Sequence, residues 1–188
     1  MTEAELRMRA DARRNRRAIL DAARDLFTER GDVVQIDEIA ERAGVGVGTL
    51  YRHFADKKAL LAAIVGSRFE AMTAVAREAE LVEDPGEAFR ALLFGYLETA
   101  ETDAAYRLAV LGPEEPDWQE INDEKRQFGE IVERILGRAI DADYLRDDIS
   151  AGDFVLITRG AMANMTQGRD WRRHVELVLE GIRAAASR

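Results

Sequence analysis

Between Ile36 and Phe54 two short apolar patterns of helical spacing stand on either side of a single turn, Gly44-Val45-Gly46, and few folds accommodate that arrangement. The first pattern, Ile36 to Ala43, turns Ile36, Ile39 and Ala40 to one side and places Asp37 and Glu38 in its first turn, where the helix dipole favours acids. The second, Val47 to His53 with Phe54 after it, mixes the apolar anchors Leu50 and Phe54 with the hydrogen-bond donors Thr49, Tyr51, Arg52 and His53. Ahead of both, a longer pattern from Asp11, as N-cap, to Arg30 puts Ile19, Ala22, Ala23, Leu26 and Phe27 on one stripe, and Gly31 stops it as a C′ glycine does. Two short helices joined by a glycine turn and supported by a third are the plan of a helix-turn-helix reader of DNA. The second short helix must then be slim at its leading end to enter a major groove about 12 Å wide. Gly46, Val47, Gly48 and Thr49 meet that demand.

Net charge alone argues against a polyanionic partner, since the chain of 188 residues carries −9. The distribution argues otherwise: residues 1–60 hold 12 Lys and Arg against 11 Asp and Glu, and the remaining acidity belongs to residues 61–188. Residues 7–17 set six arginines against one acid. Two readings of that run stay open, a frayed, solvated terminus or an arm that touches phosphates or enters a minor groove. The absence of cysteine removes disulfides, thiolate metal sites and a cysteine nucleophile. With 47% hydrophobic and 34% charged residues the chain can bury a core and stay dissolved. No uninterrupted apolar run of ~18 residues marks a membrane span and no apolar segment marks a secretory leader, so a cytoplasmic location is expected.

Downstream the pattern stays helical. A fourth helix from Asp56 to Glu80 has the stripe Leu61, Ile64, Val65, Arg68, Phe69, Met72, Val75 and Ala76; Asp56 is its cap, which leaves Lys57 and the first free amides as a phosphate clamp. Asp84-Pro85-Gly86-Glu87 starts a fifth helix, with Phe89, Leu92, Leu93, Tyr96, Leu97 and Ala100 on one face. Thr102 to Leu111 forms a sixth, ended by the loop Gly112-Pro113-Glu114-Glu115-Pro116. A seventh, from about Asp117 to Ile140, has the stripe Trp118, Ile121, Lys125, Phe128, Val132, Ile135 and Leu136. Lys125 interrupts it: either its stem packs on the helix and its ammonium reaches water or a glutamate, the preferred reading, or it is a pocket cation for an anionic effector. Ser150 to Asp153 is a further capping box, and two last helices run over about 151–166 and about 170–186. The expected fold is therefore all-α with about nine helices.

Three segments carry a specific resemblance: Arg16 to Ala23; Asp37-Glu38-Ile39-Ala40-Glu41-Arg42-Ala43-Gly44-Val45; and Gly48-Thr49-Leu50-Tyr51-Arg52-His53-Phe54-Ala55-Asp56-Lys57 with Lys58 to Leu61. Together they resemble the DNA-binding domain of the TetR (tetracycline-repressor) family over roughly residues 11–65. The resemblance implies a homodimeric transcription factor, usually a repressor, released from a palindromic operator by a small molecule bound in the C-terminal domain. It divides the chain into a DNA-binding domain at 1–55, arm included, and an effector-binding and dimerisation domain at 56–188. Where the family often caps its second and third helices with Thr or Ser, this chain has Gln35 and Gly46. Glycine supplies no side-chain contact to phosphate.

The candidate DNA contacts are Arg16, Gln35, Val47, Gly48, Thr49, Tyr51, Arg52, His53 and Lys57. Thr49 suits a thymine methyl or a phosphate, and Tyr51 and His53 suit backbone oxygens. The candidate effector pocket is Phe69, Met72, Leu93, Tyr96, Lys125, Phe128 and Met162, although aromatic and methionine residues at this spacing also describe plain core. The resemblance assigns the last two helices to the dimer interface, with Phe154, Ile157, Ala161, Trp171, Val175, Val178 and Ile182 as candidates, a stripe that an intramolecular core would show equally. No cofactor is expected, and His53 and His174 stand too far apart in sequence to suggest a metal. The competing class, a helical enzyme, finds no nucleophile elbow and no phosphate-binding glycine loop. An activator of the same fold reads identically.

Overall fold

The structure, a computed structural model, describes residues 2–112, 119 and 121–184. Nine α-helices and no strand occur among them: α1 (Glu3–Arg30), α2 (Ile36–Arg42), α3 (Val47–His53), α4 (Lys57–Glu80), α5 (Pro85–Glu101), α6 (Ala104–Leu111), α7 (Asn122–Asp141), α8 (Ala151–Thr166) and α9 (Trp171–Ile182). A 3-10 turn, Gly31–Val33, joins α1 to the segment before α2. The chain forms two compact units. The first runs to Val65 and takes in α6; the second holds α4 from Gly66 onward, α5, α7, α8 and α9. α4 passes from one unit into the other.

In the first unit α1 buries Ile19, Leu20, Ala22, Ala23, Leu26 and Phe27, and α2 and α6 pack on it. α6 contributes Ala105, Tyr106 and Ala109, all nearly inaccessible, and also rests on the 3-10 turn. α1 begins eight residues before the expected Asp11. Thr2 caps it: the Thr2 amide donates to Glu5 Oε2 at 2.7 Å and the Glu5 amide donates to Thr2 Oγ1 at 3.3 Å, a capping box at the start of the chain. The arginine-rich run is consequently helical.

In the second unit α5 is the central element, with α7 and α8 against it and α9 on α8. Asp84 and Ser150 cap α5 and α8 as expected, and Asp170 does the same for α9. α9 ends at Ile182, short of the expected 186, because the backbone turns extended at Arg183 and pairs with the α7–α8 loop. The Arg146 amide donates to the Ile182 carbonyl at 3.0 Å and the Ala184 amide to the Tyr144 carbonyl at 3.1 Å. In the last turn of α7 Arg138 donates to the carbonyls of Glu80, Val82 and Glu83 at 2.8, 2.8 and 3.0 Å, which satisfies groups that the end of α4 leaves without helical partners. Arg134 adds an ion pair to Glu80 at 2.6 Å. Trp118, placed on the α7 stripe by its spacing, lies outside the described residues.

By length and composition α4 could cross a bilayer, but 56% of its most apolar stretch is buried, as in a core helix. Glycine permits close approach in the second unit, most tightly at Gly86, where a Cβ would stand 2.4 Å from Cδ2 of the Tyr144 ring. Gly86→Ala is therefore expected to destabilise the protein by about 1–3 kcal/mol through overpacking. Denaturant titration of wild type and variant checks it, and unchanged stability would show that the ring moves aside freely.

Candidate nucleic-acid interface

The turn between α2 and α3 is set by backbone chemistry. Gly44 adopts φ +67°, a left-handed conformation costly for a residue with Cβ. Its amide donates to the Glu41 carbonyl at 3.0 Å and the Val45 amide to the Ala40 carbonyl at 3.0 Å, the paired bonds of a Schellman motif. Gly46 then caps α3 with its carbonyl alone, accepting from Thr49 and Leu50 amides at 2.8 and 3.1 Å. Leu50 is fully buried and Phe54 nearly so, which fixes one face of α3 in the core.

The opposite face is open. Val47, Gly48, Tyr51 and Arg52 are exposed, with Thr49 and His53 half-buried. Arg52 donates through Nη2 to Thr49 Oγ1 at 2.8 Å, so these two polar side chains, one turn apart on α3, form one hydrogen-bonded pair. Nothing stands within 4 Å of a Cβ built on Gly48, so the leading edge is as slim as the sequence suggests. Asp56 Oδ1 accepts from the Ala59 amide at 2.8 Å and caps α4, leaving Lys57 half-buried at the first helical position. Arg16 is exposed and lies over the Phe54 ring, with Cζ 5.1 Å from its centroid, a cation–π contact beside the end of α3. Gln35 is exposed before α2; its Nε2 donates to the Val33 carbonyl at 3.1 Å. The nine candidate contacts thus fall around α2, α3 and the start of α4, all within the first unit.

Ion pairs brace this framework. Arg42 grips Glu29 at 3.1 and 2.9 Å, tying the end of α2 to α1, and Arg30 reaches Glu38 at 2.7 Å. Glu38 also accepts from the Gln35 amide at 2.9 Å, and that bond, followed by the one from Arg30, holds its carboxyl below the ordinary glutamate value of 4.5. The hydrogen bond from Arg42 does the same to Glu29.

The candidate effector residues meet in the second unit. Phe128 stands between Phe69 and Tyr96, with ring centroids 5.8 and 5.6 Å away, and Tyr96 meets Phe154 edge-on at 5.4 Å. Phe69, Met72, Leu93, Tyr96, Phe128 and Met162 are all buried in this packed cluster, whereas Lys125 is exposed on α7. The exposure matches the preferred reading of Lys125 as a surface side chain.

The candidate interface on α8 and α9 needs a correction. Phe154, Ile157, Ala161, Trp171 and Val175 are buried inside the protomer, and only Val178 and Ile182 keep part of their surface. Trp171 Nε1 even donates to Glu101 of α5 at 2.8 Å. A side chain already covered by its own chain has no area to offer a partner. Val155, Leu156 and Leu177, off that stripe, are the apolar residues these helices expose, at 52, 69 and 56%. Their signal in the sequence is an apolar residue at a position where the helical period calls for a polar one. Among the described residues no group of three or more histidine, aspartate or glutamate side chains is placed to hold a metal.

Comparison with known proteins decides the family. Residues 19–64 match the model of the bacterial regulatory proteins of the tetR family, and residues 84–184 match the C-terminal domain of SbtR-like transcriptional regulators. The chain belongs to the TetR family. It is a DNA-binding transcriptional regulator with a helix-turn-helix reading head. A TetR regulatory protein from Mycobacterium vanbaalenii is 32% identical over 94% of this chain and 99% of its own, with a TM-score of 0.55. The ketosteroid transcriptional regulator KstR2 of Mycobacterium tuberculosis, 22% identical over 90% of this chain and 95% of its own, shares the fold with a TM-score of 0.63. HTH-type transcriptional regulators of Staphylococcus aureus are 48% identical over 54 residues, a match spanning 28% of this chain and only 29% of those relatives.

Folded carboxylate values below the unfolded ones add stability that is full above the ordinary value and is lost as pH falls through the depressed folded values. Glu38→Gln should accordingly lose less stability than wild type between about pH 5 and about pH 3. Thermal melts across that range check it, and parallel acid limbs would remove Glu38 from the account.

Proposed function

We propose that this TetR-family regulator is a repressor that binds a palindromic operator as a homodimer and leaves it when an apolar small molecule occupies the second unit. The observation that carries the reading is the division of α3 into a buried face, Leu50 with Phe54, and an exposed face on which Val47, Gly48, Tyr51 and the Thr49–Arg52 pair stand together. Such a face suits the major groove, with Thr49 and Arg52 at base edges and Tyr51, His53, Lys57 and Gln35 at the phosphate backbone. A single reading head makes few base contacts, and a second copy on the other half-site supplies the rest.

Support for the dimer comes from Val155, Leu156 and Leu177, three large apolar side chains left in water on neighbouring helices. Support for an apolar effector comes from the Phe69, Met72, Leu93, Tyr96, Phe128 and Met162 cluster, which offers rings and thioethers and no buried charge. The rings fill the cluster as it stands, so a ligand would enter by separating them. Repression is then relieved when the ligand binds more tightly to the conformation whose reading heads are misplaced; a preference worth a few kcal/mol is sufficient.

Thr49→Ala should weaken binding to a selected operator by about tenfold while leaving scrambled duplex nearly unaffected, the signature of a base contact. Fluorescence anisotropy on both duplexes decides; equal losses would move Thr49 to the backbone-contacting set. Leu156→Glu combined with Leu177→Glu should yield a monomer in sedimentation and abolish high-affinity operator binding. A double variant that sediments as a dimer would refute this interface.

A further inference from the structure

α1 is longer than its core requires. Of its 28 residues none of the described side chains before Ile19 is buried, and Leu6 and Met8 are 49 and 72% exposed. A helical stretch with no apolar face to bury is marginal in water, and this one is held by the Thr2–Glu5 capping box and by exposed pairs such as Arg14 with Asp11 at 2.7 Å. Most of its side chains are exposed.

The arginines on it are not scattered evenly. Arg9, Arg13 and Arg16 follow one another at i, i+4 and i+7, which places them on one face within about 10 Å along the axis. Leu6 and Ala12 line one shallow groove with Arg9 and Arg13. Arg7 and Arg14 occupy the other side, where Arg14 pairs with Asp11. All three arginines of the ridge are exposed, and the last of them is the residue stacked on Phe54, the C-cap of α3. The ridge therefore starts beside the end of the reading helix and runs from there toward the start of α1.

We infer that the Arg9–Arg13–Arg16 ridge binds the phosphate backbone of the DNA flanking the bases read by α3. The partner is fixed by chemistry: three cations in a row, with no acid on their face between residues 7 and 17, match a polyanion with regularly spaced charge. Guanidinium groups suit phosphate through paired N–H donors. The inference rests on α3 being the helix that enters the groove. It gives the long arginine-rich helix a task independent of base sequence, which adds affinity and salt dependence without altering specificity.

The test uses the duplex enriched from a random library by the wild-type protein, prepared with its flanks and also trimmed of them. On the flanked duplex Arg9→Ala with Arg13→Ala should lower the slope of log affinity against log salt by about 2 for each subunit bound. On the trimmed duplex this variant and wild type should bind alike. Arg7→Ala with Arg14→Ala should match wild type on both, and Arg9→Lys with Arg13→Lys should restore most of the slope, since lysine keeps the charge. Alanine favours the helix, so circular dichroism should show unchanged helicity in both alanine variants. Equal slopes for wild type and Arg9→Ala with Arg13→Ala on flanked duplex would overturn the ridge while leaving the role of α3 intact. An equal fall in both alanine pairs would overturn the assignment to one face. Failure of wild type to enrich any duplex would overturn the role of α3 and the ridge together.

Discussion

Burial of Leu50 and Phe54 is the constraint from which the reading head follows. α2 and α3 have seven residues each, well below the length at which a helix stands alone in water. Their form and direction must come from tertiary contacts. Fully burying a large apolar side chain contributes roughly 1.5–3 kcal/mol, whereas an exposed ion pair contributes about 0–1 kcal/mol. Leu50, Phe54 and Ile39 thus outweigh the Arg42–Glu29 and Arg30–Glu38 pairs as the source of stability. What the ion pairs add is orientation: Arg30–Glu38 ties the start of α2 to α1, and Arg42–Glu29 ties its end. The Schellman turn at Gly44 then leaves α3 one direction in which to start, and the polar pair Thr49–Arg52 has its outward position because Leu50 occupies the inward one.

Much of this was legible in the sequence because the signals were local. Gly31, Gly44, Asp56, Asp84 and Ser150 each mark a helix end through a bond within a few residues, and all five behave as such. The start of α1 is not legible although Thr2 and Glu5 have the spacing of a capping box, because no apolar stripe follows it; a cap without a core reads as a loose terminus. The end of α9 is illegible for the opposite reason. Its stop depends on pairing with Tyr144 and Arg146, some forty residues away along the chain, and no local rule contains that bond.

The stripes of α8 and α9 illustrate a different limit. A stripe at helical period says that a face is buried without saying by what. Phe154, Ile157, Ala161, Trp171 and Val175 satisfy the stripe inside the protomer, and Val155, Leu156 and Leu177 are the large apolar side chains these helices leave exposed. The same ambiguity applies to Phe69, Tyr96 and Phe128. Their spacing fits core and pocket alike, and the structure joins them in one packed cluster.

Charge completes the division of labour. The chain carries −9 overall, and most of that acidity lies beyond residue 60. Bulk attraction to DNA is therefore absent, and binding must rest on cations close enough to act within a screening length of about 8–10 Å. Arg16, Arg52 and Lys57 stand on elements fixed by Phe54, Leu50 and Asp56, whose positions the core and the α4 cap determine. α4 is anchored at both ends, by Asp56 at its start and by Arg138 and Arg134 at its finish, and it is the element that leaves the first unit and enters the second. A protein whose overall charge repels its target gains discrimination from this arrangement.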